Sequence, residues 1–108
     1  MTDKIVVLTT CDSEQQASEL ARALVEQHHA ACVNIVPGAR SIYRWKDQIE
    51  EASEWLLVIK SRRDLFPSLC AAIQNLHTYE IPELVALPII EGSEPYLAWL
   101  DRELTAPK

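Results

Sequence analysis

Apolar positions along this chain switch between a period of two and a period near 3.6, and each switch marks a new element. KIVVLTT at 4–10 is rich in β-branched residues and runs into the polar CDS, so it reads as a strand. From Ser13 the spacing changes. Ala17, Leu20, Ala21, Leu24, Val25 and His28 recur at three and four, which predicts an amphipathic helix to about His29. Ser13 and Gln16 stand at its head in capping-box spacing. ACVNIV at 31–36 is a second strand, interrupted by Pro37 and Gly38 and resumed by SIYRW at 41–45. Proline cannot donate to a strand ladder, so this break predicts a bulge. KDQ at 46–48 is a turn and EWLLVIKS at 54–61 a third strand, which makes 31–61 a long bent hairpin.

A second helix is expected with Asp64 as its cap and Leu65, Phe66, Leu69, Cys70, Ile73 and Leu76 as its apolar stripe. Pro67 falls in the first turn, where a missing N–H does little harm. LVALPII at 84–90 reads as a fourth strand, and Ser93, Glu94 and Pro95 open a short third helix carrying Leu97, Leu100 and Leu104. The order is that of an α+β, ferredoxin-like βαββαβ sandwich with a C-terminal helix, the two main helices on one face of an antiparallel sheet. Residues 1–108 form a single domain without linkers, and only TAPK at 105–108 reads as a loose tail. Yet Val6 to Leu8, Trp55 to Ile59 and Leu84 to Leu87 are continuous apolar runs, and such strands need cover on both faces. Covering each such side chain stabilises by about 1.5–3 kcal/mol. These runs predict an oligomer packed through its sheets.

Composition narrows the function. With 108 residues, 48% of them hydrophobic and 24% charged, the chain is ordinarily globular. Its two glycines nearly exclude a glycine-rich phosphate loop. A net charge of −6, sixteen acidic residues against ten basic, leaves no basic footprint for nucleic acid beyond KSRR at 60–63, which reads as a solvated helix entry. MTDKIVVLTT does not read as a signal peptide, and no apolar stretch is long enough for a membrane span. Cys11, Cys32 and Cys70 are odd in number and widely spaced, as expected of free thiols in a reducing cytoplasm.

The chemistry concentrates in LHTYEIPELVALPI, residues 76–89. His77, Tyr79, Glu80 and Glu83 offer imidazole and carboxylate donors suited to a metal ion. They equally describe a polar loop in which His77 ends a helix and the glutamates accept hydrogen bonds. Cys32 and Cys70 read as small core residues that a soft metal could recruit, and Cys11 as the exposed thiol. Tyr43 and Trp45 are too apolar for a free hairpin tip and are expected against a partner subunit. Across the hairpin, Glu50, Glu51 and Glu54 suit cross-strand pairs with Arg44 and Lys46. Lys60, ending its strand, either faces a cleft and holds an anion or is solvated; His28 and His29 read as surface residues. Glu80 and Glu83 could in principle serve as acid and base, but no substrate, nucleophile or cofactor motif accompanies them, so no enzyme is expected.

Taken together, ACVNI, SIYRWKDQIEE, EWLLVIKS and LHTYEIPELVALPI followed by YLAWL resemble the CutA proteins, named for divalent-cation tolerance. The resemblance runs from VVLTT to YLAWL. It implies a ferredoxin-like protomer in a tight homotrimer, whose strands extend the sheets of neighbouring protomers, and a fold similar to the trimeric PII signalling proteins with small-molecule clefts between subunits. It implies copper or another divalent cation as the bound species, with metal ions and other copies of the chain as partners and neither nucleic acid nor membrane. The family's recurring polar residues match Cys32, Tyr43, Trp45, Glu51, Lys60, His77, Tyr79, Glu80 and Glu83. Its metal association falls on His77, with oxygen from Glu80 or Glu83 and a thiol from Cys32. Tyr43, Trp45, Glu51, Lys60 and Tyr79 fall to the cleft and interface. Thr78 stands where the family usually has proline, Asp47 where glycine is common, and Thr9 and Thr10 where some relatives carry a cysteine.

Overall fold

The computed structural model describes residues 2–105, so the tail expected at 105–108 lies outside the described residues except for Thr105. Strand β1 is Lys4–Cys11, helix α1 Glu14–Glu26, strands β2 and β3 Cys32–Trp45 and Gln48–Arg62, helix α2 Phe66–Leu76, strand β4 Val85–Pro88 and helix α3 Glu94–Leu104. The sheet runs β2-β3-β1-β4 with every neighbouring pair antiparallel, the expected α+β arrangement.

Helix α1 starts where the sequence predicts it because the Ser13 Oγ accepts the Gln16 N–H at 3.1 Å. Only half of the capping box forms. The Gln16 side chain donates instead to the Leu76 carbonyl at 3.3 Å, joining α1 to the end of α2. The helix ends at Glu26, short of His29, because His28 turns left-handed with φ 62. His28 N–H then returns to Val25 and His29 N–H to Leu24, a Schellman closure that usually takes glycine. His28 is held there by its Nδ1–H, which donates to the Glu103 carbonyl on α3 at 2.8 Å.

The β2–β3 hairpin is longer and more continuous than the pattern of apolar residues predicts. Pro37 and Gly38 do form a bulge, with a register shift between Val36 and Ala39 and φ +80 at Gly38, but β2 runs through it. Lys46 and Asp47 make a two-residue turn with φ 50 and 63, both left-handed, without glycine. Strand β3 begins at Gln48 rather than 54, since Gln48–Ser53 pairs with the far half of β2. Strand β1 stops opposite Trp55, so beyond that point β2 and β3 project as a two-stranded arm. Asp64 does not cap α2. It sits in a 3₁₀ turn, Arg63–Leu65, and accepts from Arg62 Nε at 2.6 Å. Arg62 also donates to Asp101 at 3.0 Å, so KSRR contributes to docking α3 rather than to a solvated entry.

The core lies between the sheet and α1 and α2. Val7, Cys11, Leu57 and Ile59 point inward against Leu20, Leu24, Leu69 and Ile73, all fully buried. Cys11, expected as the exposed thiol, is the last residue of β1 and part of this core. A smaller cluster of Ala31, Leu100 and Leu104, with Leu65, Leu97 and Trp99 packed on it, docks α3. The alternate residues of the strands face the other way: Val6, Leu8, Leu56 and Val58 are half-buried, and Val85 and Leu87 are 46% and 50% exposed.

Candidate functional site

His77 caps the C-terminus of α2 in an extended conformation, and its N–H donates to the Ile73 carbonyl at 2.8 Å. From there the ring reaches back to the end of β1. Its Nδ1 accepts the Tyr79 backbone N–H at 3.0 Å, which places the ring proton on Nε2, and Nε2–H donates to the Thr10 carbonyl at 2.7 Å. The Cys11 sulfur lies 3.8 Å from Nε2. His77 is only 9% exposed, and both of its nitrogens are engaged by backbone groups. In this arrangement it pins the loop, and donation to a metal ion would first break one of these bonds.

The pinned loop delivers Tyr79 to β3. The Tyr79 hydroxyl donates to Glu54 Oε2, and its ring packs on His77 with centroids 4.6 Å apart. Burial raises the Tyr79 phenol well above its usual range, and the hydrogen bond and negative charge of Glu54 add to the effect. Cys11 is pushed up to about 11 by burial, helped by the charges of Asp12 and Glu54, so its thiol is protonated and inert at neutral pH.

Between the loop and the arm lies an open cleft of about 680 Å³. Its floor holds Thr10 and Glu54, the arm contributes Ser41, Ile42, Tyr43 and Trp45, and the loop contributes Tyr79, Glu80 and Glu83. Three carboxylates and three aromatic rings therefore line one cavity, without a lysine or arginine among the described residues of its wall.

Of the residues singled out from the sequence, Tyr43, Trp45, Tyr79, Glu80 and Glu83 meet at this cleft, and His77 stands directly behind it. The others do not. Cys32 and Lys60 are register partners in the row of Val6, four strand residues or about 13 Å from Thr10. Lys60 donates to Asn34 Oδ1 there, so within the chain it faces no cleft residue. Glu51 is on the arm and pairs with Arg40, not with Arg44 or Lys46; both partners are well exposed, so the pair contributes little. Among the described residues no group of three or more His, Cys, Asp or Glu side chains gathers to hold a metal ion. The carboxylate oxygens of Glu80 and Glu83 remain the accessible donors, and they suit hard or borderline cations better than copper(I).

Sequence reasoning missed Glu54. It lies on the same side of β3 as Leu56 and Val58, so a carboxylate opening an otherwise apolar face was the available signal. The His77–Thr10 bond spans 67 positions and carries no local signal.

Comparison with known proteins gives this architecture a family. The model of the CutA1 divalent ion tolerance protein matches residues 5–103. The "Divalent-cation tolerance protein CutA" of Thermus thermophilus is 53% identical over 95 residues, 88% of this chain and 92% of the relative. Human "Protein CutA" is 48% identical over 96 residues, 89% of this chain but 53% of the relative; the chain spans about half the length of its mammalian relatives. The crystal structure of CutA from Xylella fastidiosa superposes with a TM-score of 0.94 at 34% identity, covering 96% of this chain and 100% of that one. A match over nearly all of β1 to α3, in sequence and in fold, leaves one conclusion: the chain belongs to the CutA1 divalent ion tolerance family.

Proposed function

We propose that this chain binds divalent cations, copper among them, as a homotrimer acting in cation tolerance in the cytoplasm, and that it does so without turnover. The observation that carries this reading is the charge of the cleft: Glu54, Glu80 and Glu83 line it with no basic residue beside them in the described wall. Glu80 and Glu83 are exposed and supply the oxygen donors, with ligands from a neighbouring copy completing the shell. The open outer face of the sheet and the projecting arm, whose Ile42 and Ile49 are 65% and 63% exposed, support assembly through copies of the chain. An isolated two-stranded ribbon is only marginally stable in water, so the arm needs such a neighbour. Three free cysteines support a reducing compartment.

Calorimetric titration of copper(II) or zinc into the metal-free protein tests the site. The Glu80→Gln/Glu83→Gln variant loses at least ten-fold in affinity. His77→Ala keeps most of the affinity but is less stable by about 1–3 kcal/mol, because the Thr10 carbonyl and the Tyr79 N–H lose their partner. Metal affinity that follows His77 and ignores the two glutamates refutes this assignment.

A second reading, a PII-like small-molecule sensor, is favoured by the size of the cleft. At about 680 Å³ it lies within the range of small-molecule sites, far larger than one ion requires. A thermal-shift screen against nucleotides and metabolites addresses it, since a ligand at 100 times its dissociation constant stabilises by about 2.7 kcal/mol.

A further inference from the structure

Glu54 is 6% exposed, yet none of the ion pairs among the described residues includes it. Buried carboxylates are ordinarily compensated by a cation, because desolvating the charge is otherwise unfavourable. Among the described residues its single donor is the Tyr79 hydroxyl on Oε2. Hydrogen bonding to a neutral phenol stabilises the charge but does not cancel it. Tyr79 and Cys11 both lie near it, and both acid groups are raised chiefly by burial, with the negative charge of Glu54 as a lesser contribution.

This carboxylate lies in the cavity wall, and what stands around it differs from a metal shell. Tyr43, Trp45 and Tyr79 bring aromatic faces, and Thr10 and Ser41 bring hydroxyl or backbone acceptors. A bare divalent ion demands several oxygens at 2.0–2.6 Å and gains little from aromatic rings. An organic ammonium ion matches both: its N–H groups need acceptors and a countercharge, and its cationic and apolar parts pack well against aromatic faces.

We propose that the cleft is a receptor site for a small organic ammonium ion, its charged head seated on Glu54 and its apolar body against Tyr43 and Trp45. The inference rests on the small-molecule reading of the cleft and names the ligand class. It also assigns Glu54 a purpose separate from Glu80 and Glu83, so an organic cation and a metal ion depend on different carboxylates of the same cavity.

Three probes of one shape isolate the charge: benzylamine, cationic at neutral pH, benzyl alcohol and benzoate. Each is titrated into the full-length protein, with calorimetry for affinity and ¹H–¹⁵N spectra to follow the indole signals of Trp45, Trp55 and Trp99. Benzylamine is expected to bind at least ten-fold more tightly than the alcohol, with benzoate weakest, and to shift the Trp45 signal selectively. Glu54→Gln, which preserves volume and the Tyr79 contact, abolishes the preference for the amine over the alcohol. Trp45→Leu, on the arm and away from the core, weakens benzylamine several-fold and keeps the proposal testable if the Glu54 variant fails to fold. Equal binding of amine and alcohol, an unchanged preference in Glu54→Gln, or no binding by benzylamine overturns the assignment. A thermal shift with an anionic or neutral metabolite alone preserves the small-molecule reading and rejects the ammonium class. If none of the probes or metabolites binds, both fail together.

Discussion

Along β1 and β3 successive residues of similar character meet opposite surroundings. On the helix-covered face Val7, Leu57 and Ile59 are fully buried. One residue further along, Val6, Leu8, Leu56 and Val58 are only half-buried, and their neighbours on β4, Val85 and Leu87, are about half exposed. The difference arises from what lies opposite: α1 and α2 complete one face within the chain, whereas nothing among the described residues completes the other. An apolar face left open in one copy is the surface on which the proposed assembly rests. The cleft and the arm lie at its far end, so the candidate site borders the unfinished half of the molecule.

Paired truncations on the two faces give the largest effect. Leu57→Ala leaves a cavity in the core and costs about 2–5 kcal/mol of unfolding free energy. Leu87→Ala, at 50% exposure in one copy, costs the isolated chain under about 0.5 kcal/mol. If copies cover the outer face, the Leu87 variant instead shows a loss that grows on dilution. Denaturant unfolding at several protein concentrations separates these outcomes.

The next effect comes from the buried end of β1. Cys11 has its thiol pushed up to about 11 from 9.0 in the unfolded chain. The folded protein thus holds this proton where the unfolded chain releases it, and stability falls as pH rises from about 9 to about 11. A rise of about two pH units corresponds to a loss on the order of 2–3 kcal/mol. Alkaline unfolding curves of the wild type and Cys11→Ala should differ by this slope; parallel curves would place the thiol in contact with water.

A smaller change sharpens the description of the inner face. Thr9 is fully buried and its Oγ1 has no hydrogen-bond partner among the described residues. Replacing it by valine removes an unsatisfied polar atom at nearly constant shape, for an expected gain of roughly 1 kcal/mol. A loss of stability in Thr9→Val would mean that a buried water serves that hydroxyl.

Much of this organisation was legible from residue patterns. The alternation of β-branched runs with three-and-four spacing located every strand and helix, and Pro37 with Gly38 located the bulge. Where the pattern misled, a tertiary contact had replaced a local rule. Asp12 and Ser13 after Cys11 look like the start of a loop, yet pairing with Trp55 keeps Cys11 in the strand and the core. Gln48–Ser53 lacks apolar alternation because within one copy the arm lies against no helix, so the start of β3 was hidden. The cleft was half legible. Tyr43, Trp45, Tyr79, Glu80 and Glu83 carry unusual chemistry for their positions, whereas Glu54 looked like one more hairpin acid, and Lys60, open to either a cleft or solvent in the sequence, bonds Asn34 within the chain. Register decides both cases, and register is a property of the folded sheet.

Native mass spectrometry of the metal-free protein, before and after limiting copper, tests assembly and cation binding in one spectrum. A trimeric cation binder gives a species of three 12.2 kDa chains that takes up a whole number of copper ions per trimer, and a Glu80→Gln/Glu83→Gln trimer that takes up none. A single 12.2 kDa chain, or copper uptake unchanged by the two substitutions, would contradict it.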